Sequence, residues 1–195
     1  MKTIHFADLE KWETRKKGLA ARRELSTEFI NDSSKKILNK LLSIDEVKNS
    51  SVVFCYAAMS DEVQTDELIT ELIKAGKKVS IPLIRSRGIM DAALVESVDL
   101  LVPGPCGVLS INPGDAVMVD PATIDCAIIP GSAFGRDGSR VGLGGGFYDR
   151  YLLKTPHAER IGICFDCQLQ DKVPVEKHDI FMKMVVTEKE IIKLK

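Results

Sequence analysis

The alternation of apolar and polar positions divides the chain into helices near its start and short apolar runs beyond them. From Asp8 to about Arg23 charges recur every few positions without proline, Gly18 is the only breaker, and Leu9, Trp12, Leu19 and Ala20 can share one helical face. An amphipathic N-terminal helix is predicted. A second helix starts where Ser26 can act as N-cap with Glu28 in the first turn, and it runs through Phe29, Ile30, Ile37, Leu38 and Leu41. The two are expected to form a helical hairpin. Val52 to Tyr56 is a continuous apolar run rich in β-branched and aromatic residues, the mark of a strand covered on both faces. Thr65 can then cap a helix carrying Leu68, Ile69, Leu72 and Ile73 that stops at Gly76, and a strand follows from Lys78 to Leu83. Strand, helix and strand in that order make the βαβ unit of a parallel sheet.

Past Leu83 the pattern turns irregular, with Ala92 to Val95 as a strand and Pro103 to Gly114 as a Pro/Gly-rich excursion. Cys126 to Pro130 and Arg160 to Phe165 are further buried strands, with a helix from Tyr148 to Leu153 between them. Met184 to Val186 is a last short strand before a charged tail. The expected fold class is α/β, a single open and mostly parallel sheet flanked by helices, in one domain over residues 1–195.

Composition narrows the function classes. A chain that is 45% hydrophobic and 28% charged can bury enough apolar surface to fold, and 27 Lys and Arg against 28 Asp and Glu leave no whole-molecule positive field to hold a polyanion. Nucleic acid is therefore not an expected partner. The first thirty residues hold no apolar run, and no stretch approaches the ~20 apolar residues of a transmembrane helix. The expectation is a cytoplasmic monomer acting on small molecules, with no membrane partner. Five cysteines (Cys55, Cys106, Cys126, Cys164 and Cys167) make an odd count, most of them inside apolar runs, which argues against a disulfide framework. The CxxC of Cys164 and Cys167 lacks the second ligand pair that a structural zinc site needs.

Seven of the 14 glycines lie between Gly131 and Gly146, directly after the strand ending at Pro130. Glycine tolerates positive φ and lets a ligand approach the main chain, and consecutive N–H groups ahead of a helix make an anion-binding nest. A lone pair of glycines is more often an unliganded surface loop; Gly142, Gly144, Gly145 and Gly146, within five positions, favour a phosphate cradle. It is neither a Walker A loop, since no Lys-Ser or Lys-Thr follows, nor GxGxxG, since Phe147 stands where the third glycine belongs. Asp149 follows at the helix start, where a carboxylate beside bound phosphates can share Mg²⁺ with them, or simply favour the helix dipole.

Strand, PGSAF, a short Gly-containing turn and then RVGLGGGFYDR together resemble the signature of the 5-formyltetrahydrofolate cyclo-ligases, also called methenyltetrahydrofolate synthetases. The similarity spans nearly the whole chain. The family's first-helix Lys and Arg, four residues apart, are matched by Lys11 and Arg15; its acidic segment after the first strand by Ser60 to Thr65; its late motifs by Pro174, His178-Asp179 and Thr187-Glu188. The resemblance implies ATP- and Mg²⁺-dependent conversion of 5-formyltetrahydrofolate to 5,10-methenyltetrahydrofolate, with ADP and phosphate released. It also implies a fold of the kind shared with some sugar-phosphate isomerases and CoA transferases.

Carried over by position, Lys11 and Arg15 would contact ATP's phosphates together with the loop residues Arg140, Val141, Gly142, Leu143, Gly144, Gly145, Gly146, Phe147 and Tyr148. Asp149 and Asp179 would hold Mg²⁺. Ala57 and Glu62 would face the folate, as would Leu143, Gly144, Gly145, Gly146 and Phe147, where the two substrates meet; no proton-transfer residue is assigned. The chain departs from many relatives at Gly135 and Lys183, where they carry Asp, and at Leu143, where an aromatic or basic residue is frequent. The competing readings are a non-catalytic relative that keeps the nucleotide loop and binds folate or RNA, and an isomerase or transferase of similar fold. Joint retention of Lys11, Arg15, Glu62, Asp149 and Asp179 argues against the first.

Overall fold

The computed structural model describes residues 6–194. Its helices are α1 (Phe6–Arg23), α2 (Thr27–Ser43), α3 (Asp45–Lys48), α4 (Asp66–Lys74) and α5 (Phe147–Leu152). The strands in the first half are β1 (Val52–Cys55), β2 (Lys78–Ser86), β3 (Ile89–Val95), β4 (Val102–Pro103) and β5 (Leu109–Ser110). Those in the second half are β6 (Cys126–Ile129), β7 (Ala133–Gly135), β8 (Arg140–Val141), β9 (Glu159–Ile163), β10 (Leu169–Gln170), β11 (Met184–Val186) and β12 (Ile191–Lys193). None of the described helices is long and apolar enough to cross a membrane.

The main sheet has the order β12-β11-β9-β6-β1-β2-β3. From β11 to β2 every neighbouring pair is parallel, and the edge strands β12 and β3 run antiparallel to it. The uninterrupted apolar runs are explained by cover on both faces. Val53, Cys55 and Ile128 face one core with Leu41 from α2 and Leu72 from α4, whereas Phe54, Ala127 and Ile129 face the other with Tyr151 and Leu152 from α5. Connections from β1 lead to β2 on one side, and those from β6 lead to β9 and β11 on the other. The crevice at the carboxyl ends of β1 and β6 is thus a topological switch point, where open parallel sheets bind ligands.

Several expectations are corrected. The charged tail contains β12, whose Ile191 and Ile192 pair with β11; three residues are too few for periodicity to register. The strand foreseen at Ala92–Val95 is the end of a longer β2–β3 hairpin, and β7 and β8, from the glycine-rich region, form a small second sheet with β10. Thr65 occupies the N-cap position of α4, but its side chain makes no capping hydrogen bond; its hydroxyl donates to the Tyr56 carbonyl at 2.8 Å. Ser26 does cap α2, accepting the Phe29 N–H at 3.1 Å.

The largest correction concerns α1. Its expected apolar face is turned outward, Leu9 being 47% and Trp12 53% exposed. The inner face is instead Lys11, Arg15, Gly18 and Arg22, spaced as i, i+4, i+7 and i+11. Gly18 is not a breaker but the point of closest approach, since a Cβ there would collide with the carbonyl oxygen of Ser132. The helix consequently packs on β7, β8 and the single turn Asp166–Gln168, not as a hairpin with α2.

Candidate active site

A cleft of about 580 Å³ opens at the switch point. Every residue given a binding or metal role from the sequence lines it: Lys11 and Arg15 from α1, Ala57 and Glu62 from the loop after β1, Arg140 to Asp149 from the glycine loop and the start of α5, and Asp179 from the segment before β11.

The glycine loop has the backbone its composition demands. Gly144 (φ +95) and Gly146 (φ +62) lie in the left-handed region that L side chains rarely adopt. Side chains tie it down. Arg15 Nε donates to the Gly142 carbonyl at 2.7 Å, and Arg150 donates to the carbonyls of Gly145 and Gly88, the latter at 2.7 Å. Because C=O and N–H point oppositely in a trans peptide, holding these carbonyls turns the N–H groups of Leu143 and Gly146 away from the arginines. Arg140 is buried beneath the loop, donating to Asp149 Oδ2 at 2.9 Å and to the Pro130 carbonyl at 3.2 Å, with its guanidinium carbon 5.5 Å from the Tyr148 ring centre. Leu143 projects outward at the mouth and is 59% exposed.

On the α1 side, Lys11 Nζ lies 2.5 Å from Asp179 Oδ2 and 2.7 Å from Glu176 Oε2. Burial alone would lower the pKa of this ammonium, but the two carboxylates outweigh it and raise it. Burial lowers that of Arg15. Glu176, His178 and Asp179 place one potential ligand atom each within 4.8 Å of one another. The expected Mg²⁺ ligands, Asp149 and Asp179, share the cleft, yet each already has a cationic neighbour, Arg140 and Lys11. Asp149 Oδ1 also accepts the Ile180 N–H at 3.2 Å, while Asp179 Oδ1 accepts no hydrogen bond among the described residues. This donor set fits Mg²⁺, which takes one or two carboxylates and completes its shell with phosphate oxygens and water.

The opposite wall is more apolar, with Met59, Pro82, Ile84, Met90 and Val108 alongside Tyr56 and Phe147. Glu62 is buried here at the cleft edge. Its Oε2 accepts the Met59 N–H at 3.0 Å and its Oε1 accepts from Arg22 Nη1 at 3.2 Å. Burial raises the Glu62 pKa, while the Met59 amide and Arg22 pull against it. Sequence reasoning missed Arg22, Glu176 and the apolar wall. Arg22 carried a signal, standing one heptad beyond Arg15 on the same face, but the β2–β3 and Val108 contributions carry none.

A family model described as the 5-formyltetrahydrofolate cyclo-ligase family matches residues 7–188. The chain belongs to that family. It is 30% identical over 170 residues to the 5-formyltetrahydrofolate cyclo-ligase of Escherichia coli, covering 85% of this chain and 93% of the relative. To the Mus musculus cyclo-ligase it is 28% identical over 189 residues, covering 89% and 93%. The NMR structure of Aquifex aeolicus 5,10-methenyltetrahydrofolate synthetase superimposes with a TM-score of 0.84 at 31% identity, covering 95% of this chain and 93% of that one. A methenyltetrahydrofolate synthetase from Mycoplasma pneumoniae, 24% identical with a TM-score of 0.75 over 92% and 99% of the two chains, shares the fold. Family membership agrees with the motif reading and makes the chain an enzyme of the ATP-dependent ligase class.

Among the cysteines, Cys55, Cys126 and Cys164 are buried and free, and Cys167 is free at the surface. Burial pushes the Cys126 thiol up to about 12, which makes it inert as a nucleophile.

Proposed function

We propose that this protein converts 5-formyltetrahydrofolate and ATP to 5,10-methenyltetrahydrofolate, ADP and phosphate. The observation that carries the reading is the convergence on one cleft of a positive-φ glycine loop, two α1 cations and a buried carboxylate facing an apolar wall. An N-formyl amide is a poor electrophile with a poor leaving oxygen. Transfer of the γ-phosphoryl group to that oxygen, with ADP leaving, makes it a phosphate ester of an iminium; N10 then adds to the iminium carbon, and phosphate departs with the former formyl oxygen as N10 gives up its proton. The protein's part is positioning and charge stabilisation.

In this reading the loop N–H groups and Arg15 hold the polyphosphate, and Arg140 fixes Asp149 and Tyr148 beneath it. Lys11 leaves its carboxylates to reach a phosphate, which frees Asp179 for Mg²⁺ beside Asp149. The bound ion supplies neutralisation of phosphate charge. Glu62 accepts the N–H donors on the pterin's amino edge. We extend the proposal to a fold relation with sugar-phosphate isomerases and CoA transferases, supported by the open parallel sheet with its cleft at the strand carboxyl ends, and to action as a monomer without nucleic acid.

The test is to incubate the protein with ATP, Mg²⁺ and 5-formyltetrahydrofolate and to follow ADP and the methenyl product together. They are expected to form in equal amounts, and only when the folate is present. ATP turnover that is the same without folate would overturn the proposal.

A further inference from the structure

Arg22 has no part in the function proposed above, yet it is the most deeply buried charged side chain of α1, with 4% of its side chain exposed. Each of its three nitrogens has an acceptor. Nε donates to Asp61 Oδ2 at 3.1 Å and Nη2 to Asp61 Oδ1 at 3.0 Å, and the remaining nitrogen, Nη1, donates to Glu62 Oε1 at 3.2 Å. The fork on Asp61 alone would anchor the end of α1 to the loop after β1. The third bond, to a carboxylate that lines the cleft, has to be explained separately.

We propose that Arg22 is a positioning residue for the folate substrate: it holds the Glu62 carboxylate on the cleft wall as an anion with one fixed orientation. This rests on the folate role given to Glu62 above. A carboxylate so buried is disfavoured as an anion, and Asp61 beside it adds like charge. The other titratable groups facing Glu62 are Tyr56, from the end of β1, and Tyr148, from α5, both phenols that burial keeps neutral. Arg22 is therefore the cation that opposes protonation of Glu62 among the described residues. Each Glu62 oxygen then receives one protein hydrogen bond, from Arg22 and from Met59, which leaves a lone pair on each for a donor-rich ring edge. Without Arg22 the carboxyl turns more freely and takes up a proton at higher pH, presenting a donor where the substrate also presents donors.

The experiment measures KM for 5-formyltetrahydrofolate, kcat, and ATP affinity by calorimetry for wild type, Arg22→Met and Arg22→Lys, at about pH 6.5 and about pH 8.5. In parallel, the Glu62 carboxyl is titrated by NMR, its signal assigned with Glu62→Gln. For Arg22→Met the folate KM is expected to rise roughly tenfold or more at the lower pH and clearly less at the higher one, with kcat and ATP affinity within about threefold of wild type. The NMR midpoint of Glu62 should move up. Arg22→Lys keeps the charge but cannot span both acids, so it should fall between, and it is read by the same criteria if Arg22→Met does not fold. An unchanged folate KM, or a loss equal at both pH values, overturns the proposal. So does a fall in ATP affinity in step with folate affinity, because Arg22 would then merely anchor the helix that carries Lys11 and Arg15. Absence of turnover in the wild type counts against the folate reading instead, and the NMR titration alone then decides whether Arg22 holds Glu62 as an anion.

Discussion

Helices α1 and α2 follow one another in the chain, span 18 and 17 residues, and turn opposite kinds of face inward. α2 buries Ile30, Ile37, Leu38 and Leu41 against the sheet, whereas α1 turns Lys11, Arg15, Gly18 and Arg22 inward and leaves Leu9 and Trp12 to solvent. The difference teaches that the two helices are held by different forces. α2 is fixed by removing apolar surface from water, which is non-directional and strong. α1 is fixed by close backbone approach at Gly18 and by charge-assisted hydrogen bonds, which are directional and define where each cation points. A helix used to stabilise the fold can be repacked, but a helix used to aim charges cannot.

The contrast is sharpest at Leu41, which is fully buried. Leu41→Ala should cost roughly 2–5 kcal/mol in urea unfolding and leave kcat/KM near normal at temperatures where the protein stays folded. A large loss of activity in the folded variant would erase the distinction between the helices.

Gly18→Ala comes next and tests the sign. In an ordinary helix interior the change stabilises by roughly 0.5–1 kcal/mol. Here the added Cβ meets the Ser132 carbonyl, so the variant should lose about 1–3 kcal/mol and bind ATP more weakly as α1 is displaced. A raised thermal midpoint with unchanged ATP affinity would show that α1 is not seated as described.

Arg15→Ala should weaken ATP binding by about tenfold in calorimetry while stability changes by less than about 1 kcal/mol. The Gly142 carbonyl it holds would be freed, so loss of stability without loss of ATP affinity would move Arg15 to the structural side. The smallest effect belongs to the α2 cap, where Ser26→Ala should cost about 1 kcal/mol and leave both substrates' affinities unchanged.

Much of the site was legible from local composition. The density of glycine after β6 announced a backbone built for close approach, and the structure places Gly144 and Gly146 at positive φ within it. The motif match brought Lys11, Glu62, Asp149 and Asp179 to attention, and all four line the cleft. The apolar wall from β2, β3 and Val108 was not legible, because an apolar residue facing a cleft carries the same pattern as one facing the core. The inner face of α1 was misread for a related reason. Amphipathicity assumes that the apolar side is the buried one, and a helix that lines a polar site inverts the assumption.

What the sequence determined by itself is whatever depends on neighbours along the chain: the Ser26 cap of α2, the stop of α4 at Gly76, the periods of both helices, the doubly covered strands, and the glycine loop. Tertiary structure decided which charges meet. Lys11 pairs with Glu176 across 165 residues, Arg22 with Glu62 across 40, and Lys183, one of the departures from the family pattern, with Glu159 across 24. A charged side chain is equally at home in water at any of these positions, so its sequence surroundings specify no partner. The packing of α1 on the glycine-rich sheet and of the loop after β1 removes the water around Lys11 and Arg22 and leaves each of them its own pair of acids, whereas the pairing of β11 with β9 brings Lys183 to Glu159 at the surface.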